Sequence, residues 1–294
     1  MNYTVRAASI ATGVSEGRLR TWERRYGVPR PKRSPTGRRL YDEQDLALIG
    51  RMAALVEAGV PAAHAAEAVL SEDTTALVVP PRVEAPAHPL VAELLADAAR
   101  FDGDAVAATI ARAVEELGWP AALGSVLFPA LKATGTAWEL DEIPPAQEHL
   151  LSEQLRLALL AAVTREATSP GGALVVLACP EGERHDLGLS ALWLLLRQAG
   201  FRVCYLGADV PTSDLARVVT ALHAEAICLS ATGTMSRSQL ARTTRELAQQ
   251  RLDTVVFAGG PAIAEDAGET IVGIRLPAAI DEAASTIAGR LRRD

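Results

Sequence analysis

The segment Glu183-Arg184-His185-Asp186-Leu187-Gly188 comes just after the apolar run Ala173 to Cys179. A histidine in a loop just after an apolar run has an imidazole suited to holding a ligand. Ser230, Thr232 and the pair Gly259-Gly260 lie at the ends of later apolar runs, offering two hydroxyls and a bare stretch of backbone. Nine residues separate Trp138 from the adjacent Glu148-His149. A tryptophan so placed either fills a core or, with that pair, caps a large planar ligand. Near the N-terminus, Arg18, Arg20, Arg24 and Arg25, then Arg38 and Arg39, supply guanidinium groups suited to phosphates and base edges.

The histidine loop must be positioned by alternating strands and helices. Ala173 to Cys179, Arg202 to Leu206, Ala226 to Ser230, Thr254 to Ala258 and Ile271 to Gly273 read as short apolar strands. Leu187 to Ala199, Thr212 to Leu222, Arg237 to Gln249 and a short segment Ile263 to Gly268 read as helices between them. This predicts a parallel sheet with helices on both faces, whose ligands bind outside the carboxyl ends of the strands. His185, Ser230 and Gly259-Gly260 all fall at those ends, so His185 reads as a ligand-binding residue ahead of a core one. No dinucleotide-type glycine fingerprint follows the first strand, which argues against a nicotinamide cofactor.

Two breaks organise the rest of the chain. Residues 71 to 89 hold four prolines among polar residues, and Thr168 to Gly172 reads Thr-Ser-Pro-Gly-Gly. Three units follow, 1–72, 88–167 and 170–294, with 73–87 as linker. In the middle unit, Pro89 to Arg100, Asp102 to Leu117, Trp119 to Leu131 and Gln147 to Thr164 have helical periodicity. Leu90, Leu94 and Leu95, then Val106, Ile110 and Val114, form the apolar stripes of a four-helix bundle. Pro144 and Pro145 keep the last connection out of helix and place Trp138 and Glu148-His149 at a bundle end.

In the first unit Thr4 to Ala11 reads as a short helix, Gly13 as its turn, and Ser15 as the cap of a basic helix running to Tyr26. These are the parts of a helix-turn-helix reader. Leu19, Trp22 and Tyr26 form its core side, and the arginines face the groove unless they pair with Glu16 or Glu23. Arg33 to Tyr41 reads as a turn between extended segments, followed by a helix from near Asp42. That projection lays Arg38, Arg39 and Tyr41 along the sugar-phosphate backbone, although Tyr41 reads equally well as a core residue of the hinge.

Charge supports the division. Residues 1 to 41 carry ten Lys or Arg against Glu16 and Glu23, a balance of +8 in a chain of net charge −7. A polyanion is favoured at that end and nowhere else. Cys179, Cys204 and Cys228 lie in apolar runs without metal or redox spacing, as core thiols of a reducing cytoplasm. Met1 to Gly13 has no apolar core of a signal peptide, and no run is long enough to span a bilayer, so no membrane partner is expected.

Residues 3 to 70 resemble the winged-helix DNA-binding domain of the mercury-resistance regulator (MerR) family. Ser9-Ile10-Ala11, Gly13-Val14, Leu19-Arg20, Trp22-Glu23, the wing Arg38-Arg39-Leu40-Tyr41 and Asp45-Leu46 match its pattern in order. The resemblance implies a homodimer reading an inverted repeat in double-stranded operator DNA. No cysteine precedes Cys179, so the metal sensing of other members is not expected.

The last unit is similar to the flavodoxin-like cobalamin-binding domain of methionine synthase and methylmalonyl-CoA mutase. Glu183, His185 and Gly188 open its signature, 41 residues lead to Ser230, and 26 residues separate Thr232 from Gly259-Gly260. The resemblance implies that His185 is the lower cobalt ligand, that Ser230 and Thr232 hold the displaced nucleotide tail, and that the glycine pair lets the tail approach the backbone. Glu183 stands where that family usually has aspartate.

Nearly the whole chain resembles the light-sensing, adenosylcobalamin-dependent repressors of carotenoid genes, the CarH and LitR group. Trp138, Glu148 and His149 match that group's residues over the upper cobalamin face, whereas Glu139 replaces the histidine that captures cobalt after photolysis. The expectation is a multidomain, non-enzymatic, light-responsive repressor, dimeric or tetrameric with cofactor. Its alternatives are a regulator using a bilin, haem or another cobalamin form, and a corrinoid methyl carrier or mutase subunit.

Overall fold

The computed structural model describes residues 3–34, 37–57, 60, 62–71, 88–139, 143–167, 169–250, 253–263 and 270–292. They form two compact units, Met1–Pro86 with Lys132–Glu148, and Ala87–Leu131 with His149–Asp294. Among the described residues no helix is long and apolar enough to cross a membrane.

The first unit opens with two short helices whose ends are written locally. Thr4 caps α1 (Val5–Thr12), its hydroxyl accepting the Ala7 N–H at 3.3 Å, and Gly13 ends it with a left-handed φ of 72°. Ser15 caps α2 (Glu16–Tyr26) by accepting the Arg18 N–H at 3.2 Å. The glycine is what permits so short a turn between them. Strands β1 (Lys32–Arg33) and β2 (Arg39–Leu40) pair antiparallel. Asp42 then accepts the N–H groups of Gln44 and Asp45 while the Asp45 carboxylate accepts that of Asp42, a reciprocal cap that starts α3 (Glu43–Glu57). Helix α4 (Ala62–Ser71) completes a core around Leu19, Trp22, Tyr41, Ile49 and Met52.

In the second unit α5 (Pro89–Ala99) and α6 (Gly103–Ala122) pack together, and Gly118 interrupts α6 at φ 72°, ψ 160°. This break separates the two helices expected on either side of it. The second runs on past Leu131, through a π turn at Leu123–Leu127 and into α7 (Phe128–Glu139). Helix α8 (Pro145–Arg165) starts earlier than expected, because Pro145 occupies the first helical position, where its missing N–H costs nothing. Glu148 and His149 lie near its start, within the helix expected from Gln147 onward.

The sheet has the order β4-β3-β5-β6-β7, all parallel. Its strands are β3 (Leu174–Pro180), β4 (Arg202–Val210), β5 (Ala226–Ser230), β6 (Val255–Gly259) and β7 (Ile274–Arg275). This is the 2-1-3-4-5 winding of flavodoxin-like sheets, with its switch point between β3 and β5. Helices α9 (Leu187–Gln198) and α12 (Ile280–Leu291) cover one face, α10 (Thr212–Leu222) and α11 (Thr234–Gln249) the other. The last strand is displaced from its expected place at Ile271 to Gly273. Pairing starts at Ile274, just after Gly273, which at φ 124° lies so close to β6 that a Cβ would be 2.6 Å from the Val256 carbonyl oxygen. The expected helix at Ile263 to Gly268 is represented only by a 3-10 turn, Pro261–Ile263, and its remainder lies outside the described residues.

The apolar sides of α5, α6 and α8 share one core with α9, α12 and the sheet. Leu155, 1% exposed on α8, lies in that core. Leu155→Ala is expected to cost about 2–5 kcal/mol, read as a lower urea midpoint at unchanged slope.

Candidate functional site

A buried carboxylate holds the histidine loop. Glu183 is 1% exposed, and its Oε1 accepts both the His185 backbone N–H at 2.8 Å and the Nδ1 proton of the His185 ring at 2.7 Å. Its Oε2 accepts the Thr232 N–H at 2.7 Å, and the Ser236 hydroxyl also donates to the carboxylate. Burial pushes the Glu183 pKa up, but hydrogen bonds from the His185 ring, the His185 and Thr232 backbone and Ser236 outweigh it and hold the group at about 2. Because that lies below the ordinary 4.5, the charged form stabilises the fold above that pH, and the contribution is lost as pH falls toward 2. Bonded at Nδ1, the imidazole keeps Nε2 for a ligand, on a side chain 60% exposed.

The flanks of the loop are also tied. Gly182 N–H donates to Asp209 Oδ1 at 2.7 Å, and Asp209 N–H donates to the Glu183 carbonyl at 2.9 Å, with Asp209 at φ 58°. Register shifts opposite Ala178 and Pro180 give β4 extra residues there, and such bulges re-aim side chains at the rim of a sheet. Tyr205, on β4 just before those shifts, reaches Asp186, its hydroxyl 2.8 Å from Oδ2, while Arg156 Nη1 lies 2.8 Å from Oδ1. Ser236, Arg156, Asp186, Tyr205 and Asp209 were not singled out from sequence.

Ser230 ends β5 opposite Gly259, and Thr232 is exposed in the next loop. The glycine pair has its own structural reason: a Cβ on Gly260, at φ 98°, would lie 2.2 Å from the Ala231 oxygen, and one on Gly259 would lie 3.2 Å from Leu276. Gly188, in the first turn of α9, faces open space. Among the described residues no group of three or more His, Cys, Asp or Glu converges on a metal position. Cys179 and Cys228 are buried and Cys204 half-buried, all free thiols. Trp138 and Glu148 belong to the first unit and His149 to the second. The Trp138 ring lies under the Arg25 guanidinium, 4.5 Å from centroid to Cζ. The side chain of Glu139 lies outside the described residues.

On the reader, Arg24 and Arg38 are exposed, and Arg20 is exposed but paired with Glu16 at 3.0 Å. Arg18 folds over Trp22, its Cζ 4.9 Å from the ring centroid. Arg39 is bonded to Glu23, which also faces Arg33 at 3.7 Å. Tyr41 is 0% exposed, so its side chain belongs to the core and not to the sugar-phosphate contact.

Residues 3–72 match the MerR HTH family regulatory protein model, and residues 173–286 match the B12 binding domain model. The chain is 33% identical over 253 residues to the HTH-type transcriptional repressor CarH of Myxococcus xanthus, covering 84% of each. It is also 31% identical to the repressor CarA of the same organism, over 78% of this chain and 76% of that one. The chain belongs to the CarH and CarA family of MerR-type repressors. Family members are transcriptional repressors, and this one is a regulator with a cobalamin-binding domain, not an enzyme. The Methanosarcina barkeri monomethylamine corrinoid protein, 18% identical, shares the fold at a TM-score of 0.57 over 67% of this chain and 96% of its own.

Two substitutions test the geometry. Glu183→Gln presents an N–H to one of the four donors, and cofactor-free protein is expected to lose about 1–3 kcal/mol in urea unfolding. Tyr41→Phe removes a buried hydroxyl that has no hydrogen-bond partner among the described residues, so thermal stability is expected to hold or rise, with DNA affinity unchanged.

Proposed function

We propose that this protein is a light-responsive repressor that binds operator DNA in the dark as an adenosylcobalamin-assembled oligomer, a tetramer built from two dimers, and releases it on illumination. The observation that carries the reading is the Glu183-held imidazole at the switch point of a chain that also carries a DNA reader. His185 Nε2 would ligate the cobalt, and Glu183, bonded at Nδ1, would keep the ring tautomer that this requires. Ser230, Thr232 and the strap at Gly259-Gly260 would receive the nucleotide tail, and Gly188 belongs to the histidine loop that holds the cofactor. Trp138, Glu148 and His149, on the helical segment read as a four-helix bundle, cover the upper face. Adenosylcobalamin supplies a cobalt–carbon bond that green or near-ultraviolet light breaks. Trp138 then loses its packing partner, and the assembled state loses the differential affinity that favoured it. Joined readers raise the effective concentration at the operator, so disassembly weakens DNA binding.

On DNA, Arg18 and Arg20, early on α2, are the candidates for base edges, and Arg38 and Arg39 on the wing for phosphate. In this structure Arg18 rests over the Trp22 ring and Arg39 is bonded to Glu23. A second reading rests on Glu139: lacking the family histidine there, the chain uses a different cobalamin form or another chromophore such as a bilin or haem, or His149 substitutes for that histidine.

Light-scattering mass in the dark is expected to rise on adding adenosylcobalamin and fall on illumination; an unchanged mass sinks the proposal. His185→Ala is expected to leave the empty fold intact and lose cofactor on gel filtration. Arg38→Ala should weaken operator and scrambled DNA alike and reduce the salt slope by about 1, whereas Arg20→Ala should cost about 1–3 kcal/mol of discrimination.

A further inference from the structure

We infer that Arg156 is a positioning residue for the axial-ligand loop, holding His185 through Asp186 so that helix α8 and the loop move together. The inference rests on the cobalamin reading above and goes beyond it to a group outside the signature. Asp186 occupies the N-cap of α9, where an aspartate ordinarily accepts a backbone N–H of the first turn. Here its carboxylate makes no such bond. One oxygen takes Arg156 Nη1 at 2.8 Å and the other the Tyr205 hydroxyl at 2.8 Å. The Tyr205 hydroxyl is also 2.8 Å from Ser190 Oγ, and its ring stacks on Trp193 at 4.7 Å between centroids. A capping group turned away from its own helix toward another element ties the two elements together.

The surroundings favour a firm tie. The Asp186 side chain is 15% exposed and that of Arg156 30%, and a partly buried charge-assisted bond is worth more than an exposed pair. Glu153, one turn back and exposed, lies 3.4 Å from Arg156 Nε on the other side of the guanidinium. Glu183 fixes the loop from the side of β5, through Thr232 and Ser236, and Asp186 fixes it from the side of α8. His185 lies between these two anchors. Helix α8 also carries Glu148 and His149 at its start, about two turns before Arg156. A displacement of α8 thus reaches the His185 loop through the Arg156–Asp186 ion pair as well as through the shared apolar core.

The test uses the full-length chain loaded with cob(II)alamin, whose electron paramagnetic resonance splitting changes on isotopic labelling of histidine only where a protein histidine is the axial ligand. Wild type is expected to show the label-dependent splitting and His185→Ala to lose it. Arg156→Met should retain cob(II)alamin with a histidine-ligated fraction lowered several-fold, and Arg156→Lys should restore most of it. In the cofactor-free chain, amide exchange at residues 183 to 188 should accelerate about tenfold in Arg156→Met. Asp186→Asn, which keeps the shape and removes the charge, serves the same comparison where Arg156→Met does not fold. Label-dependent splitting that is equal in wild type, Arg156→Met and Asp186→Asn overturns the inference. Absence of the splitting from wild type overturns the cobalamin reading instead; exchange in the empty chain then decides alone, and unchanged protection rejects the role of Arg156.

Discussion

Everything at the cobalamin end of the molecule depends on one buried negative charge. A carboxylate removed from water is stable only when its lone pairs are met, and Glu183 meets donors from both sides of the crevice between β3 and β5. Doubly wound sheets open at that crevice because successive helices leave toward opposite faces. Glu183 closes the opening electrostatically without filling it. The cost of its burial is offset only while the His185 and Thr232 loops stay together, so the same bonds that fix the imidazole also fix the walls of the pocket.

The sheet and its site were legible because the relevant signals are local. Buried parallel strands read as apolar runs, the spacing from His185 to Ser230 is set by the strands and helices between, and Ser15 and Gly13 announce helix ends within a few residues. What escaped was long-range. Arg156 meets Asp186 across 30 residues and Tyr205 meets the same carboxylate across 19, and neither pairing leaves a mark in a hydropathy pattern. Helix α12 was also missed, since Ala283, Ala284 and Ile287 bury a face too small to stand out. Gly260 shows the converse: the residue was expected and is present, but the Ala231 carbonyl already excludes a side chain without any ligand.

The basic end shows how charge count and charge use differ. Of the guanidinium groups that make the N-terminus cationic, Arg39 anchors the hairpin to α2 through Glu23, Arg20 meets Glu16, and Arg18 and Arg25 lie over indole rings. A reader with its arginines already braced loses less side-chain freedom on meeting a polyanion, because each guanidinium starts near one orientation. Part of the field that attracts DNA thus also stiffens the surface that reads it.

The π turn at Leu123–Leu127 sets a phase as well as a path. A π turn takes up one residue more than an α turn, so every side chain downstream is rotated about the helix axis relative to a regular continuation, by about 100°. Trp138 lies downstream on α7 and inherits that rotation. The direction in which the indole faces is therefore decided some dozen residues away, by a local irregularity of hydrogen bonding. Trimming the turn by a single residue would swing Trp138 to a different side of the helix while leaving its identity and its neighbours in sequence untouched.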